Sequence, residues 1–484
     1  MPKHPNIIIF MPDEMRWDCV GYAGNSVINT PNFDRFADEY APFSHFFVNH
    51  TVCTPSRICM FTGWPPHVNG HRTLWHMLRP HQPNVFKYLK QAGYHVEMWG
   101  KNDLLAQESF PDSISHEGQI NFDYRKFTAN PWPPEHKHFR SFYFGQRPDA
   151  ASNDTDRQWI DGAIRFLESN PPEPFCLYLP LIFPHCPYWC EEPYFSMHDR
   201  DRVPDPMPPR GDAPIHHQEM HRSYGLDRLN AADWRELIAT YWGMCSRLDD
   251  QFGELRESLE RNGFWDEAAV LFFSDHGDYA GDYGLVEKWP SGFEDVLLRV
   301  PLTIKLPTNE RAAMIPHLCE TLDLTPTILD IAGVPLEHDQ YGKSLLPLIR
   351  GQALDHKDAV FVEGGHHHFE RQAVELKWDG LGGTDHVYYQ KGRIQTDNPD
   401  SVAKAAAIRT TTHKYVRRLR DRDELYDLVA DPGEQVNLID SPDHQSVRLE
   451  LAGRLTDWFL ATGDVVPRDK DPRIGGARSA RPAD

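Results

Sequence analysis

Asn6-Ile7-Ile8-Ile9-Phe10-Met11 runs straight into Pro12-Asp13-Glu14. An apolar run of that length, ended by a turn residue and two acids, suits a strand buried on both faces of a sheet and is too short for a helix. The same pattern recurs three times. His95 to Gly100 ends at Lys101, Phe175 to Leu181 ends near His185, and Ala269 to Ser274 ends at Asp275-His276. In open α/β sheets, ligands bind outside the carboxyl ends of the strands, so four ends carrying acids, a lysine and histidines predict one shared site.

Working outward, strand-length runs alternate with helical patterns. The expected fold class is therefore α/β: a large domain with a mixed, mostly parallel sheet flanked by helices, plus a smaller C-terminal α+β domain with an antiparallel sheet. The clearest helix runs from about Ala231 to Arg261, with Trp234, Leu237, Ile238, Tyr241, Cys245, Leu248, Phe252, Leu255 and Leu259 on one stripe and Gly263 as its stop. That stripe reads as core, with no chemistry assigned to it. The Pro-rich stretch from Val203 to Pro214 reads as a surface loop near the pocket. Tyr341 to Leu346 leads into a short helix ending at Gly351, and the strand-like Ala359 to Glu363 and Lys414 to Arg418 follow. The expected division is 1–352 for the large domain and 353–467 for the smaller one. The Arg-, Pro- and Gly-rich tail 468–484 is expected to be disordered or used in oligomer contacts.

Cys53-Thr54-Pro55-Ser56-Arg57, with Thr62-Gly63 closing a helical turn behind it, sits between the first two of these strands. It resembles the Cys-x-Pro-x-Arg signature of the type I, formylglycine-dependent sulfatases of the alkaline phosphatase superfamily. The paired acids Asp13 and Glu14, the pair Asp275-His276, and the stretch from Ser274 to Gly277 continuing to Glu287-Lys288 are similar to the family's metal-and-lysine elements. Glu424 to Leu428, Asp431-Pro432-Gly433-Glu434 and Asn437-Leu438 resemble its closing element. The likeness runs from about residue 5 to about residue 440, in the family's order.

The resemblance implies a sulfuric ester hydrolase acting on an aryl, alkyl or carbohydrate sulfate. A phosphonate monoester or phosphodiester hydrolase with the same nucleophile is the alternative. Cys53 is then oxidised to formylglycine by a formylglycine-generating enzyme during maturation. One hydroxyl of the hydrated aldehyde attacks sulfur and the other expels sulfate. Asp13, Glu14, Asp275 and His276 are the implied ligands of one divalent cation, with Ca²⁺ suiting three carboxylates and an imidazole and Mn²⁺ as the alternative. Arg57 would steady the nucleophile, Lys101 and Lys288 would hold the sulfuryl oxygens, and His185 would hydrogen-bond them or protonate the leaving oxygen. Two positions depart from the pattern. Asp103 stands where many members have a histidine, with two readings open, a base that deprotonates the diol or a carboxylate that weakens anion binding by facing the sulfate, and Glu14 replaces a second Asp.

Bulk properties narrow the partners. The 484-residue chain carries a formal net charge of −21, which argues against nucleic acid and anionic membrane surfaces. An anionic substrate must then meet a local cationic pocket. No apolar run approaches bilayer-spanning length, and the first strand begins at Asn6 with no room for a secretory leader, so the expectation is a soluble, cytoplasmic protein unless a leader was trimmed. The eight cysteines show no paired CxxC spacing and are expected to be reduced. Cys186 and Cys190 beside His185 make a weak zinc site, with too few ligands. The run His366-His367-His368 is expected to rim the pocket rather than bind a metal. Trp75, Trp189 and Trp289 are candidates either for a sugar or aryl pocket or for core.

Overall fold

The computed structural model describes residues 4–123, 128–148, 154–308, 310, 313–370 and 385–465; the tail from 468 lies outside them. The central sheet has seven strands: β1 (Ile7–Asp13), β2 (Ala41–Pro42), β3 (His95–Met98), β4 (His116–Glu117), β5 (Phe175–Pro184), β6 (Ala269–Phe273) and β7 (Leu302–Lys305), in the order β2-β7-β6-β1-β5-β3-β4. β6, β1, β5, β3 and β4 run parallel, while β7 is antiparallel to both of its neighbours. The expected mixed, mostly parallel sheet is therefore present, and the four apolar runs are its adjacent central strands.

Strand alternation explains how the sheet is covered. In β1, Ile8 and Phe10 enter one apolar cluster while Ile7, Ile9 and Met11 enter the other. β6 divides likewise, Val270 and Phe272 against Leu271 and Phe273. Helices α1 (Pro31–Glu39), α2 (Cys53–Thr62), α3 (Val85–Gln91), α4 (Thr155–Glu168), α5 (Ala231–Arg261) and α6 (Leu324–Ala332) supply the two layers. α1, α4 and α5 pack on the first face, and α2, α3 and α6 on the second. α5 has the bounds expected from sequence, starts at an Asn230–Asp233 capping box, and buries all nine residues of the expected stripe.

Helices α7 (Tyr389–Asp397) and α8 (Gln445–Thr462) follow. A separate antiparallel sheet is built from β8 (Ala359–Gly364), β9 (Ala405–Thr410), β10 (His413–Arg418) and β11 (Glu424–Asp427) in sequence order, with α8 on it through Leu451 and Leu455. Buried ion pairs dock this sheet: Lys414 Nζ lies 2.6 Å from Glu434 and 2.6 Å from Asp295. The stretch 203–214 is irregular, as expected, with its exposed residues interrupted by buried Val203, Arg210 and Pro214, and Arg210 departs most from a surface reading. Its side chain is buried between Glu294, Glu424 and Tyr426, because its charge meets an acid from each side, Glu294 in the chain between β6 and β7 and Glu424 in β11.

Candidate active site

The carboxyl ends of β1, β3, β5 and β6 deliver their polar residues to one place, against the N-terminus of α2. Val52 is the extended residue before that helix, Cys53 is its first residue, and Gly63, in the left-handed conformation, ends it. Arg57 is one turn on from Cys53, so both side chains share a face. Its guanidinium is fully buried and forked, with Nε donating to Asp275 Oδ2 at 2.9 Å and Nη2 to Asp13 Oδ2 at 2.9 Å. Nη1 donates to the Lys101 carbonyl at 2.9 Å. One side chain thus ties three strand ends to the helix that carries Cys53. Ser56 Oγ adds a 2.6 Å bond to the Asp275 carbonyl.

Around Cys53 Sγ stand His276 Nε2 at 3.3 Å, Asp13 Oδ1 at 3.5 Å and Lys101 Nζ at 3.8 Å. Asp13, Cys53, Asp275 and His276 can each turn one donor atom to a point, all within 4.8 Å of one another and all buried. This donor set fits a divalent cation. His276 Nδ1 lies 2.9 Å from the Gly277 carbonyl; donating there places the ring proton on Nδ1 and leaves the Nε2 lone pair facing the cluster, the usual support for a ligating imidazole. Burial would raise Asp13, yet Lys101, His185, Arg57 and His276 hold it well below the usual carboxylate range. A carboxylate held ionised in this way is what a cation requires of a ligand.

Glu14 lies next to this cluster and faces away from it. Its residue has φ +69°, a left-handed turn that sends the carboxylate toward Lys288 Nζ at 2.5 Å and the Cys186 N–H at 3.2 Å. Only its backbone N–H joins the cluster, donating to Asp275 Oδ1 at 3.2 Å. Lys288 Nζ also lies 2.9 Å from His185 Nε2, and His185 Nδ1 lies 2.6 Å from the Cys186 carbonyl. Burial pushes Glu14 up to about 7, against the pull of His185 and Lys288. Asp103 lies at the rim with Oδ2 3.0 Å from Lys101 Nζ, so Lys101 bridges Asp103 and Asp13. Burial, and then Asp13, push the Cys53 thiol up to about 12. A cysteine held protonated in this way is not set up to attack as a thiolate.

A sequence model described as "Sulfatase" matches residues 5–334. The chain belongs to the sulfatase family. It is 26% identical over 430 residues to an arylsulfatase of Clostridium perfringens, covering 79% of this chain and 87% of that one. It is 24% identical over 514 residues to the multifunctional alkaline phosphatase superfamily protein PehA of Trinickia caryophylli, covering 95% and 96%. Among solved structures, the phosphonate monoester hydrolase of Agrobacterium radiobacter superposes with a TM-score of 0.76 at 21% identity, covering 95% of this chain and 96% of that one; this likeness shows the fold. The family is one of sulfuric ester hydrolases within the alkaline phosphatase superfamily.

Several residues around the sulfatase site escaped the sequence reading. Tyr241, assigned to the core stripe of α5, donates its hydroxyl to the Glu14 carbonyl at 2.5 Å and accepts from Arg16 N, so part of the stripe supports the site. Lys391 of α7 pairs with Glu287 at 2.6 and 2.7 Å, anchoring the segment that carries Lys288. Trp289 proves to be core, with Nε1 donating to the Ser401 carbonyl at 2.7 Å, whereas Trp75 and Trp189 are half-buried. All eight cysteines are free, as expected. Among the described residues, Cys190 joins no metal-ligating group with His185 and Cys186, and His366, His367 and His368 form none together. His367 and His368 both pack on the Phe369 ring. No helix among the described residues is long and apolar enough to cross a membrane.

Proposed function

We propose that the protein hydrolyses a sulfate ester, with formylglycine at position 53 as nucleophile and one divalent cation held by Asp13, Asp275 and His276. The single observation behind this reading is the placement of residue 53: at the buried start of α2, 3.3 Å from His276 Nε2 and 3.5 Å from Asp13 Oδ1, over the Arg57 fork. When bound, the cation would withdraw charge from the sulfuryl oxygens and lower the pKa of the attacking hydroxyl, with Ca²⁺ favoured by the carboxylates and Mn²⁺ the alternative. Hydrated formylglycine would supply two hydroxyls on one carbon, one for attack and one for expulsion of sulfate.

The chain's own residues then have separable tasks. Arg57 orients Asp13 and Asp275 through its fork and helps to keep Asp13 ionised. Lys101, 3.8 Å from the Cys53 sulfur, is placed to donate to a sulfuryl oxygen. Lys288 shares its proton with His185, and this pair would bring a proton to the departing alcohol. Glu14, expected from sequence as a fourth metal ligand, can serve as one only by giving up Lys288; as it lies, it fixes the Lys288 ammonium. Maturation would need a formylglycine-generating enzyme, and a homo-oligomer is left open.

A second reading, hydrolysis of a phosphonate monoester or phosphodiester, is favoured by the Asp275-His276 pair and by the near full-length likeness to a multifunctional superfamily member. Steady-state kinetics of protein made with the maturation enzyme, on 4-nitrophenyl sulfate and on a phenyl phosphonate monoester, decides between the two. The sulfate reading expects the larger kcat/KM on the sulfate. A larger value on the phosphonate reverses the order.

A further inference from the structure

Apart from the catalytic centre, three side chains turn metal-ligating atoms to one point. Cys319, Asp323 and His356 each offer one such atom, all within 4.8 Å of one another. Cys319 and Asp323 are fully buried, and His356 keeps 5% of its side chain exposed. The group sits where the two sheets are joined along the chain: Cys319 and Asp323 precede α6, and His356 lies three residues before β8.

Local structure explains the placement. Cys319-Glu320 pairs in parallel with Phe46-Phe47, and the turn Thr321–Asp323 follows at once. Glu320 N donates to Asp323 Oδ2 at 3.0 Å, which folds that carboxylate back toward Cys319. The Cys319 thiol has only a weak contact, with the His317 carbonyl at 3.5 Å. An antiparallel bridge between Leu318 and Lys357 sets His356 opposite, with Nε2 3.0 Å from Asp323 Oδ2.

The two oxygens of Asp323 face different neighbours. Oδ1 meets Lys357 Nζ and accepts from Lys343 N, both at 2.7 Å, whereas Oδ2 faces His356. Lys357 also reaches Glu320 Oε1 at 2.5 Å, so one ammonium serves two carboxylates. That leaves one net negative charge, and a Cys319 thiolate would make it two, which a single divalent ion neutralises. A cleft of about 670 Å³, lined in part by His317, Glu320, His356, Lys357 and Asp358, opens beside the group and gives an ion a way in. The donor types select that ion. One thiolate, one imidazole and one carboxylate oxygen suit Zn²⁺, whereas Ca²⁺ and Mg²⁺ take oxygen donors.

We propose that Cys319, Asp323 and His356 bind a zinc ion, with water from the cleft in the fourth tetrahedral position. Binding forms the zinc–sulfur bond as the thiol proton leaves to solvent. The ion braces the wall behind residue 53. Thr321 Oγ1 donates to Asn49 Oδ1 at 2.7 Å and Thr325 Oγ1 to the Met60 carbonyl at 2.8 Å, so the segment around Asp323 holds the chain on both sides of Cys53. Lys357, on the far oxygen of Asp323, keeps that carboxylate in place as an outer partner.

The test is a Co²⁺ titration of the full chain matured to formylglycine, in which residue 53 carries no thiol, with Ca²⁺ in excess to occupy the catalytic cluster. Co²⁺ should give a thiolate-to-metal charge-transfer band in the near ultraviolet and the intense visible bands of a tetrahedral site, and Zn²⁺ should erase both. Cys319→Ser should remove the charge-transfer band. His356→Ala, at the edge of the cleft, should weaken Zn²⁺ by about tenfold or more in competition with a chromophoric chelator, since even loss of an outer-shell partner costs that much. No charge-transfer band in the parent, a band that persists in Cys319→Ser, or an unchanged Zn²⁺ affinity in His356→Ala would overturn the site. None of these readouts depends on which ester the enzyme hydrolyses.

Discussion

Replacing Arg57 by alanine is the sharpest structural perturbation of this site. Arg57, Asp13 and Asp275 all have fully buried side chains, and the guanidinium is 2.9 Å from a carboxylate oxygen of each. Removing one partner from a buried ion pair costs about 3–5 kcal/mol, because the charge left behind is neither solvated nor compensated. Two carboxylates lose their partner here, but Lys101 still reaches Asp13 Oδ2 at 2.9 Å, so the range stands without doubling. That corresponds to a fall of roughly 5 °C in melting temperature, the shift per kcal/mol shrinking with chain size. The cation should distinguish this loss from simple misfolding. A divalent ion held by Asp13 and Asp275 takes over the missing positive charge, so Ca²⁺ or Mn²⁺ should raise the melting temperature of Arg57→Ala by more than it raises the parent's. Differential scanning fluorimetry of both proteins, in chelator and across a titration of each ion, measures it. A loss below about 1 °C in chelator, or an equal gain from the cation in both proteins, refutes the reasoning.

Other substitutions probe the surroundings. Asp103→Asn removes a carboxylate 3.0 Å from Lys101 Nζ; if Asp103 is a base for sulfate release, stopped-flow assays should show fast release of the alcohol in the first turnover followed by slow steady state. A uniform rise in KM with no burst would instead make it a positioning residue. Asp156 accepts 2.9 Å bonds from Ile182 N and Phe183 N, just before His185, and burial, partly opposed by Arg247, raises it to about 6. A carboxyl raised in the fold stabilises it fully below the unfolded value of 3.8, and that contribution is lost as pH rises through about 6. The melting temperature of Asp156→Asn should therefore depend less on pH across that window than the parent's. Glu14→Gln should weaken binding of an anionic substrate by loosening Lys288, with cation affinity changed less than threefold by calorimetry; a tenfold loss of cation affinity would return Glu14 to the ligand set.

The parts that were legible in the sequence share a physical reason. Continuous apolar runs at Ile7–Met11 and Ala269–Phe273, buried at every position because both faces of the sheet are covered, and the apolar stripe of Ala231–Arg261 follow from chain geometry, so strand ends and the long helix could be located. With the strand ends went Asp13, Lys101, His185 and Asp275-His276. The facing of Glu14 was not legible: it depends on a positive φ at a non-glycine residue just beyond β1, which no local sequence pattern carries. Tyr241 was hidden because a tyrosine within an apolar stripe looks like core until the loop its hydroxyl meets, Glu14 to Arg16, is known.

The central claim is that residue 53 is not a cysteine in the working enzyme. Mass spectrometry of the peptide carrying Cys53-Thr54-Pro55-Ser56-Arg57, from protein made with and without a formylglycine-generating enzyme, tests it most directly. The expected result is loss of sulfur, an aldehyde that labels with a carbonyl-reactive probe, and sulfatase activity that rises with the converted fraction. Full activity in protein whose residue 53 is entirely unmodified thiol would contradict the account.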